Sequence, residues 1–246
     1  YPSRAEIERI RSDFNLKNTT RAMVPFIFDD FPARSYEIRN RNDLLFVGGF
    51  YHQPNCDAVL WFLDEIFPEV CKAIPGIRVY IAGSHPTDEI LSKASENIII
   101  TGFVTDAELN ELYRKCRMVV APLRYGAGIK GKIVEAMYHG LPVITTTIGA
   151  EGLDGAESIL LLADDSMDFA GKLIRYYADE PTLQKISRAS LGYVKENFSK
   201  EKAWSILTRD LNIDEYRQHR KINPGIKILF VSHDATLGGA QLLLLS

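Results

Sequence analysis

Six short apolar runs, separated by longer stretches with helical periodicity, predict an α/β protein: a parallel sheet with helices on both faces. The runs are apolar or β-branched throughout rather than alternating, as in strands buried on both sides. They read LLFVGG, IRVYIAG, NIIITGF, RMVVAPL, PVITT and SILLLA, from Asp43 onward. The helical patterns between them cover Asn55 to Ile74, Thr87 to Ala94, Asp106 to Cys116, Ile129 to His139 and Ser166 to Ala178.

After Asp179 the pattern is helical to about Arg220, with breaks at Asn197 and Ser199 and a boundary at Pro224-Gly225. Ile226 to Val231 then reads as a fresh strand, followed by SHDATLGGAQ and an apolar helix start. At the other end, Ala5 to Phe14 reads as a short amphipathic helix, and Ala22 to Phe28 as an apolar strand closing in Asp29-Asp30. Tyr1 in place of an initiator Met, and the ending AQLLLLS, predict a piece of a longer chain.

The composition of the 246 residues, 46% hydrophobic and 25% charged, is that of a globular chain able to bury a core. Lys and Arg number 29 against 32 Asp and Glu, a net charge of -3, which gives no electrostatic case for a nucleic-acid partner. Cys56, Cys71 and Cys116 form neither a CxxC pair nor a metal-ligand spacing and read as buried thiols of a reducing compartment. No apolar run approaches the roughly 20 residues of a spanning helix, and no signal peptide precedes the fold. The expected location is cytoplasmic.

Ligands of open parallel sheets bind beyond the carboxyl ends of the strands, so the chemistry is sought in the turns after each run. RYGAGIKGKIVEAMYHGLP, Arg124 to Pro142, stands out. In Gly126-Ala127-Gly128 the small residues admit a ligand close to backbone amides, and the following helix turns its free N–H groups and positive dipole end toward it. Lys130 and Lys132 add positive charge suited to oxygens that become more negative as a phosphate departs. Lys132, Glu135 and His139 fall on one helical face, with Ile133, Val134 and Met137 toward the core. A carboxylate one turn below an anion site can accept hydrogen bonds from ribose hydroxyls.

IVEAMYHGLPVITTTIGAEGL resembles the donor-binding signature of GT-B glycosyltransferases, in particular the retaining group known as family 4, over roughly Asp43 to Arg220. The resemblance implies a Rossmann-like half of a GT-B fold. It also implies that Glu135 binds the nucleotide ribose, that Gly126, Ala127, Gly128, Ile129 and Lys130 hold donor sugar and phosphates, and that Phe103 and Val104 in TGFVTD meet the base. The nucleotide-diphosphate sugar is substrate, and neither a cofactor nor a metal is implied. KILFVSHDATLGGAQLLLL resembles the opening of an acceptor-side domain of the same class, and VPFIFDD the hinge leaving one. Expected domains are therefore 1–40, a connecting segment; 41–222, the donor-binding domain; and 223–246, the truncated start of a second glycosyltransferase module. A glycan or lipid-linked acceptor would be held by a domain absent here, with any membrane association, at the inner face, through the parent protein.

Two departures qualify this. Many family members carry a second glutamate eight positions before the first, and that position is Ala127. An Arg and a Lys commonly grip the diphosphate after the first strand, whereas VGGFYHQPN has Gly49 and Asn55 at about those places. Lys130 and Lys132 are the obvious substitutes, a pattern similar to a subgroup with a basic residue, one spacer and a Lys in this turn.

Blander readings stand beside these. Glu135 in isolation is a solvated helix residue, the lysines surface charge, and Gly48-Gly49 a tight turn rather than a phosphate contact. His139 reads as packing or exposed, His52 has no visible partner, and Glu151 either meets donor or caps the next segment. Trp61, Phe62 and Phe67 read as core, and Asp164-Asp165 as a capping pair rather than a metal ligand. A nicotinamide-dependent oxidoreductase lacks its fingerprint here: Gly48 and Gly49 have no third glycine at the required spacing, and AGSH ends the second strand without an acidic residue. A phosphorylase, an epimerase and a non-catalytic scaffold domain remain open.

Overall fold

A computed structural model describes residues 7–8, 11–13, 26–31 and 37–210. Six strands form one wholly parallel sheet in the order β3-β2-β1-β4-β5-β6. They are β1 (Leu44–Val47), β2 (Val79–Ala82), β3 (Ile98–Gly102), β4 (Met118–Ala121), β5 (Val143–Thr145) and β6 (Leu161–Leu162). All six expected runs are strands. The order reverses between β1 and β4, and a crevice opens at such a switch point beyond the carboxyl ends.

Alternate strand residues feed two apolar layers, which is why the runs are apolar at every position. Leu44, Phe46, Val79, Ile81 and Val120 face one layer, with Phe62, Ile66, Val70 and Phe169 from the helices. Leu45, Tyr80, Ala82, Val119 and Val143 face the other, with Tyr113, Ile133, Val134 and Met137. Trp61, Phe62 and Phe67 are buried core residues, as expected.

The first crossover is α1 (Gln53–Trp61), a π-helical turn Phe62–Ile66 and α2 (Phe67–Ala73), where the sequence predicted one uniform helix. Pro68 explains the interruption. It lacks an N–H and its ring crowds the carbonyl four residues back, which the wider π turn accommodates. The second crossover holds only a short α3 (Asp88–Leu91), capped by Thr87. Its expected continuation to Ala94 tightens into three-residue bonds, Lys93 N–H to Ile90 O at 3.0 Å and Ala94 N–H to Leu91 O at 3.2 Å. α4 (Asp106–Lys115) opens on a capping box in which Thr105 and Glu108 exchange hydrogen bonds.

α5 (Gly131–Tyr138) begins two residues later than expected, because Lys130 is extended and occupies the cap position. α6 (Ser166–Ala178) matches its expected bounds. Asp165 caps it, accepting from Asp168 N–H at 2.9 Å, but Asp164 does not. The Asp164 carboxylate instead accepts from the backbone and hydroxyl of Thr147 at 2.7 and 2.6 Å, tying the turn after β5 to the end of β6. α7 (Glu180–Phe198) and α8 (Lys200–Asp210) break at Ser199, whose hydroxyl accepts from Lys202 N–H at 3.1 Å.

Residues 7–8 and 11–13 are helical, within the amphipathic segment foreseen at the amino end. Of the expected Ala22 to Phe28 strand, the described residues form only a single parallel bridge, Phe28 to Ser199. Phe28 meets a helix junction there rather than a sheet edge. The helical reading past Asp210, Pro224-Gly225, the Ile226 to Val231 strand, the 223–246 unit and most of the 1–40 segment lie outside the described residues.

Candidate functional site

At the carboxyl edge the turns after β1, β2 and β3 are stitched together by backbone. Gly48 N–H donates to Ala82 O, and Gly83 N–H to Gly102 O, both at 2.9 Å. A Cβ on Gly83 would lie 1.9 Å from Gly48 O, so this approach demands glycine. Gly49 is partly exposed beside Ser84.

Lys132, in the first turn of α5, reaches into this stitched region. Its ammonium donates to Asn55 Oδ1 and lies 4.9 Å from the centre of the Phe46 ring. Lys132 as a whole is half-buried, with its ammonium held between Asn55 and the Phe46 ring. Burial, with the neighbouring Lys130 charge, lowers its pKa from 10.5 to about 7. No ion pair to Lys132 is found among the described residues. Asn55 Nδ2 donates in turn to Gly49 O at 2.7 Å.

Gly126 and Gly128 carry φ of 120° and 78°, values that favour glycine and that fold the turn back before α5. Lys130 curls over this turn: its ammonium donates to Gly126 O at 3.1 Å and to Gly128 O, and lies 3.6 Å from Glu151. Ala127 is exposed and Ile129 half-buried. Arg124, at the start of the signature, pairs through two nitrogens with Asp57 on α1, which fixes where the loop leaves β4.

Glu135 lies one turn further along α5, against α4. Burial raises its pKa, the nearby Tyr113 hydroxyl opposes that, and the Asp106 charge adds to it. The buried Tyr113 hydroxyl faces Glu135 without reaching full hydrogen-bond geometry, and its own ionisation is pushed far up by the same burial. His139 stacks on the Tyr113 ring at 4.3 Å between centroids, and burial, with Arg41 and Arg114, lowers its pKa to about 4. It is therefore a packing residue. Phe103 is 76% exposed on the turn between β3 and α4, and Val104 packs half-buried beneath it.

The structure thus brings Lys132, Gly48 and Gly49 into one contact set and leaves Glu135 in a second, with Tyr113. Lys130 belongs to its own turn and to Glu151, and His52 is exposed at the start of α1, making no side-chain capping bond. Sequence reasoning placed Asn55 near the diphosphate position but missed it as Lys132's acceptor; it placed Gly83 in a ligand-facing turn but not its close approach to Gly48, and it missed Tyr113. Tyr51, 73% exposed, lies with its ring 4.0 Å from that of His85 on the adjacent turn, another pairing no spacing announces. Among the described residues, no group of three or more His, Cys, Asp or Glu could hold a metal, and no helix is long and apolar enough to cross a membrane.

With this geometry in hand, comparison with known proteins is informative. An uncharacterised 44.6 kDa protein in the cps region of Klebsiella pneumoniae is 28% identical over 218 residues, 85% of this chain and 55% of that protein. A mutant of S. aureus TarM, solved in complex with fondaparinux, α-GlcNAc-glycerol and UDP, superposes with a TM-score of 0.68 at 18% identity, over 86% of this chain and 42% of TarM. WaaG, a glycosyltransferase involved in lipopolysaccharide biosynthesis, gives 0.62 at 16% identity, over 86% of this chain and 60% of WaaG. The chain spans about half the length of these relatives. The fold is that of one Rossmann-like half of a GT-B glycosyltransferase. Residues 41–179, more than half the chain, match the family described as glycosyl transferases group 1, and the chain belongs to that family.

Proposed function

We propose that this chain is the donor-binding domain of a retaining, metal-independent glycosyltransferase of polysaccharide or glycan synthesis, and that its ligand is a nucleotide sugar. One observation carries the reading: the Lys132 ammonium, without a paired carboxylate among the described residues, set between a glycine turn and a helix start at the sheet's carboxyl edge. A buried unpaired cation is costly, and an arriving anion offsets that cost. The bonds of α5 begin at Ile133 N–H to Lys130 O at 2.9 Å, so the N–H groups of Gly131 and Lys132 have no intrahelical acceptor and suit an anion.

In this reading the diphosphate meets Lys132, Gly48, Gly49 and the start of α5. The ribose hydroxyls donate to Glu135, the base lies against Phe103 and Val104, and the sugar lies near Gly126, Ala127, Gly128 and Ile129. The bond from the anomeric carbon to the phosphate oxygen breaks with its electron pair leaving on the diphosphate. The acceptor hydroxyl bonds to the same carbon on the same face and passes its proton to the departing diphosphate oxygen. Lys132 and α5 stabilise the departing charge, while Lys130 holds the turn. That TarM was solved with UDP, and that the Klebsiella relative lies in a cps region, supports a nucleotide ligand and a polysaccharide product.

The acceptor, a glycan or a lipid-linked sugar, would be held by a further domain, with the whole protein working at the cytoplasmic face of the membrane. The domain alone would bind donor and transfer nothing. Ala127, exposed where the resembled family has a sugar-binding glutamate, favours one second reading, a non-catalytic domain that keeps the fold. Isothermal titration with UDP, GDP and NAD tests the proposal: binding of a nucleoside diphosphate is expected. Binding of NAD alone would refute it, and binding of none would leave the scaffold reading.

A further inference from the structure

Asn55 sits in the first turn of α1 at 8% exposure, with both ends of its amide engaged. The amino end is committed to Gly49 O, which leaves the oxygen facing Lys132 and sets the amide's orientation. Nothing on Gly48 intrudes: a Cβ there would lie 2.6 Å from the Lys132 nitrogen and 2.9 Å from the Asn55 amide. Phe46, Gly48 and Asn55 of one segment are thus fitted around an ammonium from a distant one.

We infer that Asn55 is a positioning residue for a diphosphate. It holds the Lys132 ammonium over the Gly48-Gly49 turn through a neutral acceptor, so the positive charge is aimed but not cancelled. This rests on the donor-site reading above. A carboxylate at the same place would make an ion pair that an incoming phosphate must break. A neutral oxygen supplies one hydrogen bond and leaves the remaining ammonium protons for the ligand. The charged group bearing on Lys132 is Lys130, itself 3.6 Å from Glu151; α1 and β1 contribute Asn55 and Phe46, neither of which titrates.

The test is the affinity for UDP of wild type, Asn55→Leu and Asn55→Asp between pH 7 and pH 9, with melting curves to confirm folding. In this range the neutral Lys132 amine must take up a proton to bind, so wild-type affinity falls with pH, by at most about tenfold per unit. Asn55→Leu removes the acceptor, binds about tenfold more weakly and steepens the fall. Asn55→Asp also weakens binding but flattens the fall, because the carboxylate keeps Lys132 charged. Loss of packing alone would weaken both variants without changing either slope. If wild type binds UDP and both variants keep its slope, the positioning role is overturned while the donor site stands. If wild type binds neither UDP nor GDP, both readings fail together.

Discussion

A methyl group on Gly48 would lie 2.6 Å from the ammonium nitrogen of Lys132, closer than real Cβ contacts come. The glycine is required by a side chain 84 positions later in the sequence. Gly48→Ala therefore displaces the lysine, and with it the Asn55 amide at 2.9 Å, since side-chain ends yield more cheaply than backbone. UDP affinity should fall about tenfold or more, with a melting temperature within a few degrees of wild type. Unchanged affinity would mean that the lysine does not work from this position.

Lys132 carries a stability cost that its proposed role explains. Its pKa is lowered in the folded chain, so between about 7 and 10.5 the folded state binds fewer protons than the unfolded state. Stability from this group therefore rises with pH across that window, and the full cost is paid below it. Lys132→Met should melt several degrees above wild type near pH 6, an effect of a few kcal/mol, with the gap closing toward pH 10. The same variant should lose UDP binding. A variant less stable than wild type at every pH would contradict the account.

Glu135 and Lys132 have different partners, so their variants should separate by ligand. Glu135→Ala should weaken UDP about tenfold and leave inorganic pyrophosphate untouched, because only the ribose contact is removed. Lys132→Met should weaken both. Titration of the two ligands against the two variants decides this, and equal loss of pyrophosphate in both would place Glu135 on the phosphates instead.

His139 should mark the acid limit of the fold. Its pKa is lowered to about 4, so the folded state resists the proton that the unfolded chain takes up near 6.5. Stability is lost as pH falls from about 6.5 toward 4, by about 1 to 2 kcal/mol once solvent screening of this partly exposed ring is allowed for. His139→Phe, which can keep the stack on Tyr113, should flatten that part of the pH–stability curve. An unchanged curve would remove His139 as its cause.

The sheet was legible because a strand covered on both faces is apolar at every position, and no other pattern in LLFV, VYIA or MVVA competes with that reading. The bounds of α6 were legible as well. Local chemistry decided the rest: Pro68 turned one helix into three pieces, and Asp164 was drawn from a capping role to Thr147 by the proximity of β5 and β6. At the site, the glycine turn and the two lysines stood out as local features, but they looked equivalent in sequence. Folding separates them, because Lys130 closes on carbonyls two and four residues away while Lys132 crosses to a residue 77 positions earlier. No spacing rule encodes that second contact.

A crystal structure of the chain with UDP decides whether Lys132 and the start of α5 form a diphosphate site with Glu135 beside it. The account predicts phosphate oxygens within hydrogen-bond reach of the Lys132 ammonium and of the first backbone amides of α5, with the ribose hydroxyls on Glu135. UDP bound elsewhere, with no phosphate beside Lys132, would contradict it.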